Sequence, residues 1–158
     1  MRLLGKKREP RRQKDGVPSL IPVPAMEDLP KAKLQSPARY LGTVTEAGET
    51  VVGQSLSVQS ASRLNLSPEA LDVVRIAGSF RIPAAALRGA TRSEEFGGKP
   101  VESLLAVRWE HGEQQWRTGF RLEAPKLVKG EAPPPPDLAQ WVRTISKMSR
   151  GQKREMHD

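Results

Sequence analysis

Leu104-Leu105-Ala106-Val107-Arg108-Trp109-Glu110-His111-Gly112-Glu113-Gln114-Gln115-Trp116-Arg117-Thr118-Gly119-Phe120-Arg121-Leu122 is the stretch whose reading decides the fold. Leu105, Val107 and Trp109 fall on one face of an extended chain. Trp116, Thr118, Phe120 and Leu122 alternate in the same way with Gln115, Arg117, Gly119 and Arg121. A period of two marks half-buried strands, and the polar Glu110-His111-Gly112-Glu113 between the runs has the glycine a tight reversal uses. The stretch therefore predicts a β-hairpin with both tryptophans turned inward.

Further short extended runs lie upstream. Tyr40, Gly42 and Val44 alternate with Leu41, Thr43 and Thr45 as far as the turn signal Glu46-Ala47-Gly48-Glu49. Leu56, Val58, Ser60, Ser62, Leu64 and Leu66 share even positions and predict one long strand; Ser67-Pro68-Glu69-Ala70 breaks it. Leu71–Ile76 and Phe80–Ile82 read as two more strands, and Ala84–Leu87 as a single helix-favouring turn, too short to nucleate a helix. Arg88–Ser93 gives a weak strand, and Glu94–Pro100, with Gly97-Gly98, a mobile loop.

Downstream, Pro133–Pro136 makes a stiff polyproline spacer over 125–136. Asp137 then stands where a helix cap would, with Gln140 three residues on and Leu138, Trp141, Val142, Ile145 and Met148 at helical spacing as far as Gly151. This predicts an amphipathic helix over 137–150, whose stripe either docks on the β domain or lies in a membrane surface with Arg143, Lys147 and Arg150 at the headgroups, followed by a tail at 151–158. The whole reads as mainly β: a small barrel or bent sandwich of six to seven antiparallel strands over 37–124, capped by a C-terminal helix.

Composition assigns the rest of the chain to disordered tails. The 158 residues include 14 prolines and no cysteine, with 37% apolar and 4% aromatic residues, and mean hydropathy is −0.54. Such a chain cannot pack as one core throughout. Without cysteine, disulfides, thiolate catalysis and cysteine-ligated zinc are excluded. The net charge of +8 divides unevenly: nine Lys/Arg against four Asp/Glu in 1–36, ten against ten in 37–124, and seven against four in 125–158. The middle is neutral, so electrostatic attraction is expected to come from the flanking segments. Arg2, Lys6, Lys7, Arg8, Arg11, Arg12 and Lys14 crowd the start of a disordered basic arm over 1–36, and they are the candidate contacts to an anionic surface. No unbroken apolar stretch follows them, so neither a signal peptide nor a transmembrane helix is expected.

Three blocks of residues are familiar together: Tyr40-Leu41-Gly42-Thr43, Phe80-Arg81-Ile82-Pro83-Ala84-Ala85-Ala86-Leu87-Arg88-Gly89, and Leu105–Gly112 followed by Thr118-Gly119-Phe120-Arg121. In this order they resemble the bacterial PH-like domain of small actinobacterial membrane-associated proteins, over roughly residues 38–123. The resemblance implies a PH-like fold and a binding role. Members of that family are typically tethered by an N-terminal transmembrane helix, whereas here a basic arm stands in its place. Eukaryotic PH domains that bind phosphoinositides carry lysines and arginines in the loop after the first strand. Here that loop is Glu46-Ala47-Gly48-Glu49, which disfavours inositol-phosphate recognition at that position.

Catalytic signatures are thin. Gly-x-Ser-x-Gly and His-Glu-x-x-His do not occur, and Gly97-Gly98-Lys99-Pro100 puts proline where a phosphate loop needs a hydroxyl. His111 and His157 read as solvated histidines, Glu94-Glu95 as a wet loop, and Lys147-Met148-Ser149-Arg150 as a chance match to a nucleotide-activating signature of some synthetases. No enzyme activity, cofactor, metal or small-molecule substrate is expected. Arg108, Arg117 and Arg121 project opposite the tryptophans and form a candidate partner face, unless Glu110 and Glu113 neutralise them across the strands. The reading is a non-enzymatic binding or scaffolding module in the cytoplasm, held peripherally at an anionic membrane surface or on a membrane protein. The alternative is an RNA- or ribosome-associated protein bound through its tails.

Overall fold

The computed structural model describes residues 19–124 and 137–157. The decisive hairpin forms as read and is longer than expected. We number the strands β1 (Leu34–Thr45), β2 (Ser60–Leu66), β3 (Ala70–Arg75), β4 (Phe80–Pro83), β5 (Leu87–Phe96), β6 (Lys99–His111) and β7 (Gln114–Leu122); α1 is Leu138–His157. All seven strands are antiparallel in one sheet ordered β4-β3-β2-β1-β7-β6-β5. β6 and β7 pair from Leu104↔Arg121 to His111↔Gln114. Gly112 and Glu113 both take positive φ, as a two-residue hairpin turn with the twist of its strands requires.

The inward face follows the alternation. Tyr40, Leu64, Leu66, Leu71, Val73, Phe80, Ile82, Leu87, Leu105, Val107, Trp109, Trp116 and Phe120 are buried together. Phe80 stacks on Trp109 at 5.8 Å between centroids, and Trp109 meets Trp116 edge to face at 5.1 Å. The stripe of α1 docks on this core: Leu138, Trp141 and Ile145 are buried in it, and Val142 and Met148 pack at its margin. Asp137 caps the helix by accepting from the Gln140 amide at 3.0 Å. Ser146 donates to the Ala90 carbonyl at 3.2 Å, fastening α1 to β5.

Buried hydroxyls form one directed chain. The Trp109 indole donates to Thr118 (2.9 Å), Thr118 to Thr43 (2.8 Å), Thr43 to Tyr40 (2.7 Å), and the Tyr40 phenol to the Leu56 carbonyl (2.6 Å). Only this order leaves every hydrogen with an acceptor, because the phenol has a single proton to give. Burial is the main cause that pushes the Tyr40 hydroxyl up to about 12, against the opposing hydrogen bond from Thr43 and the nearby Arg75 charge.

Five expectations are corrected. β1 begins at Leu34, ahead of the boundary expected at 37. Residues 19–33, expected within a disordered arm, are held to the sheet where the Arg81 amide donates to the Ile21 carbonyl and the Lys33 amide to the Leu66 carbonyl. The long strand expected from Leu56 starts only at Ser60. Gly53–Ser55, just ahead of Leu56, forms a 3-10 turn, Gln54 and Ser55 have positive φ, and Arg75 holds the loop. Its guanidinium donates to the carbonyls of Ser55 (2.8 Å), Val58 (3.3 Å) and Gln54 (3.3 Å) and lies 4.3 Å from the Tyr40 ring centre. The expected mobile loop 94–100 is the end of one long hairpin, β5 and β6 being joined by Gly97-Gly98 alone. The helix passes its expected stop at Gly151 and runs to His157. The linker over 125–136 and the arm over 1–18 lie outside the described residues.

Candidate functional site

The outer face of the β1-β7-β6 sheet is the only part of the hairpin's pattern that the core does not use. Cross-strand register sets three rows there: Arg39–Arg121–Leu104, Gly42–Gly119–Ala106, and Val44–Arg117–Arg108. Arg39 stands directly opposite Arg121, and Arg108 directly opposite Arg117. Like charges in direct register oppose pairing, so each pair needs relief from elsewhere.

The relief differs from the cross-strand neutralisation by Glu110 and Glu113 that was expected. Glu110 pairs with Arg88 on β5 at 2.6 Å, and Arg121 with Glu123, just past the end of β7, at 3.0 Å. Arg108 and Arg117 splay apart. Arg108 turns toward β5 and donates to the Arg88 carbonyl at 3.2 Å, while Arg117 lies 5.6 Å from the centre of the Phe96 ring. Neither forms an ion pair among the described residues. Between them and the turn after β1 lies a cleft of about 310 Å³, lined by both arginines with Val44, Gly48, Gln115 and a single acid, Glu46.

Phe96 occupies the middle row. The end of the β5–β6 hairpin places its ring against Gly42 and Gly119 with 8% exposure. A methyl group at 119 would lie 2.7 Å from the ring's Cδ1, so the glycine is what seats the aromatic. Phe96 thereby separates Arg108 and Arg117 from Arg121, which lies four residues along β7, about 13 Å away at strand rise. The three arginines expected as one ladder are divided between two pairs, Arg108 with Arg117 and Arg121 with Arg39.

Two other arginines belong to the framework. Arg81 makes a two-pronged pair with the fully buried Asp72 at 2.7 and 3.1 Å, and this hydrogen bonding raises its pKa above the usual guanidinium value. Burial lowers that of Arg75, whose fork is taken by backbone carbonyls. His111, expected in solvent, packs against Trp109 and Trp116 at 5.7 and 5.3 Å between centroids, and its Nε2 lies 3.1 Å from the Ser19 carbonyl oxygen. Among the described residues no group of three or more His, Asp or Glu could hold a metal ion. No described helix is long and apolar enough to cross a membrane.

The anionic-surface candidates Arg2, Lys6, Lys7, Arg8, Arg11, Arg12 and Lys14 lie outside the described residues. Arg39 escaped sequence reasoning although its position, out of phase with Tyr40, carried the signal. Arg88 was missed too, since β5 shows no regular alternation. The family model for Bacterial PH domain-like proteins matches residues 17–130. No curated protein matches the chain.

Proposed function

Because this chain belongs to the bacterial PH domain-like family, we propose that it is a non-enzymatic binding module that grips an anionic membrane surface through Arg108 and Arg117 and through its N-terminal basic arm. The observation that carries this reading is where the arm joins the domain. Ser19 lies against His111 at the end of the β6–β7 hairpin, three residues along β6 from Arg108. His111 packs with the inward tryptophans, on the face opposite Arg108. Lys14 precedes Ser19 by five residues, about 17 Å of extended chain, which is enough reach for the seven arm cations and the arginine pair to meet one surface together. With its apolar stripe buried, α1 is left to close the barrel rather than enter lipid.

The test is flotation of the full chain with anionic and neutral vesicles. Each cation near an anionic surface contributes about 1 kcal/mol, so Arg108→Gln with Arg117→Gln weakens partition about 30-fold. Replacing all seven arm cations by glutamine weakens it further. Equal flotation on neutral vesicles, or a double variant that floats like the parent, refutes the reading. Retention of RNA in place of vesicles, with a steep salt dependence, would assign the same cations to a nucleic-acid backbone.

A further inference from the structure

Arg108 also faces a second cleft, of about 220 Å³, between β5 and α1, where Arg88 and Arg150 meet it beside Gly89 and Ser146. We propose that this cleft binds a phosphomonoester group. The inference shares Arg108 with the membrane reading but does not depend on it.

The first argument is charge. Arg88 is neutralised by Glu110, and its Nη1 is shared between the carbonyls of Ala85 and Leu87 at 2.7 and 3.0 Å. Arg108 and Arg150 form no ion pair among the described residues. The one acid within α1, Glu155, is five residues from Arg150, away from the i+3 and i+4 positions that neighbour it along a helix. Two positive charges thus remain in the cleft. A phosphomonoester carries −1.5 to −2 at neutral pH and offers three acceptor oxygens, which matches them. A carboxylate or a phosphodiester, with one charge, would leave one guanidinium uncompensated.

The second argument is construction. Arg108 reaches this side only because residue 89 is glycine: with φ +151, a Cβ there would lie 2.4 Å from its Nη2. Having donated from Nη2 to the Arg88 carbonyl, the guanidinium is fixed in orientation while its other donors stay available. The Ser146 bond to Ala90 holds the helix wall against the strand wall, so Arg150 is presented from a rigid element. The volume is below that of sites that enclose a drug-sized ligand. It therefore suits a terminal phosphate rather than a whole nucleotide.

The experiment is an NMR titration of the full 15N-labelled chain at pH 7.5 and constant ionic strength. The probes are glycerol 3-phosphate and the diester glycerophosphoglycerol; in parallel, phosphatidic acid and phosphatidylglycerol vesicles are compared at matched surface charge. The expected result is saturable shifts of the Gly89, Ala90 and Arg150 amides with the monoester, at least tenfold weaker with the diester. Arg150→Gln weakens monoester binding tenfold or more while Arg117→Gln leaves it within twofold. Preference for phosphatidic acid lost in Arg150→Gln identifies a lipid headgroup as the source; monoester binding without that preference identifies a soluble phosphate compound. Absence of saturation, equal response to the diester, or equal loss in Arg117→Gln overturns the proposal. Flotation that survives such a result leaves the membrane reading standing, and its loss with the titration intact removes only that reading.

Discussion

Gly119→Ala tests whether Phe96 belongs to the fold or merely rests on it. Residue 119 is not among the residues with positive φ, so alanine meets no backbone obstacle and by itself favours a strand by about 0.5–1 kcal/mol over glycine. The obstacle is the ring: the new methyl would lie 2.7, 2.9 and 3.0 Å from Cδ1, Cε1 and Cγ of Phe96. If the ring stays, overpacking costs about 1–3 kcal/mol. If it leaves, the domain forfeits about 1.5–3 kcal/mol of aromatic burial and about 0.5–1 kcal/mol from the Arg117 contact. Less the backbone gain, the two routes give a net destabilisation of about 1–2 kcal/mol. In a Phe96→Ala background the clash is gone and only the gain remains, so the same substitution stabilises by about 0.5 kcal/mol. Urea unfolding of the parent, both single variants and the double variant measures this as a coupling of about 1.5–2.5 kcal/mol. A coupling below about 0.5 kcal/mol, the scatter of independent sites, would show that the hairpin end does not pack where the structure places it.

Two further outcomes follow from the buried polar groups. Arg75→Met frees the carbonyls of Gln54, Ser55 and Val58 and should cost about 2–4 kcal/mol, with faster amide exchange at Leu56 and Val58; a loss under about 0.5 kcal/mol would mean that the loop closes without the guanidinium. Tyr40 gives a signed pH dependence: with its pKa raised from 10.0 to about 12 in the fold, stability is intact below pH 10 and falls as pH rises through 12. The unfolded chain ionises first, and two pKa units correspond to about 2–3 kcal/mol. Denaturant midpoints at pH 9 and pH 11 check it, and Tyr40→Phe should flatten the slope over that interval.

What was legible in the sequence is what periodicity carries. The β6–β7 hairpin and the docked stripe of α1 were readable because burial on one face leaves a period of two or of 3.6. The β1–β2 loop was not: the even positions continue through Leu56 and Val58, yet those residues do not form a strand. The group that organises them, Arg75, comes from seventeen to twenty-one residues away, a separation that no local pattern records. The end of the β5–β6 hairpin looked like a loop because most of its side chains are polar on both faces and Phe96 alone anchors it. Parity correctly turned Arg108 and Arg117 outward. The opposition of Arg39 to Arg121 needed the register of a third strand, and the meeting of Arg88, Arg108 and Arg150 needed the docking of the helix.

That register also changes what neutrality means for this domain. Ten cations against ten anions over 37–124 led to the expectation that attraction must come from the flanking segments, but a balanced count says nothing of placement. Asp72, Glu110 and Glu123 pair with Arg81, Arg88 and Arg121. Glu46 and Glu49 sit in the turn after β1, and Glu94, Glu95 and Glu102 on the β5–β6 arm. Among the described residues Arg39, Arg63, Arg92, Lys99, Arg108 and Arg117 on the strands, and Arg143, Lys147 and Arg150 on α1, have no ion pair. A domain with no net charge thus keeps unpaired arginines on its strand faces, and on the membrane reading proposed above that placement would orient the molecule on an anionic surface as well as attract it. On the membrane reading proposed above, the basic arm would supply range and the arginine face orientation, so neutralising the arm should lower affinity without changing which face meets the surface.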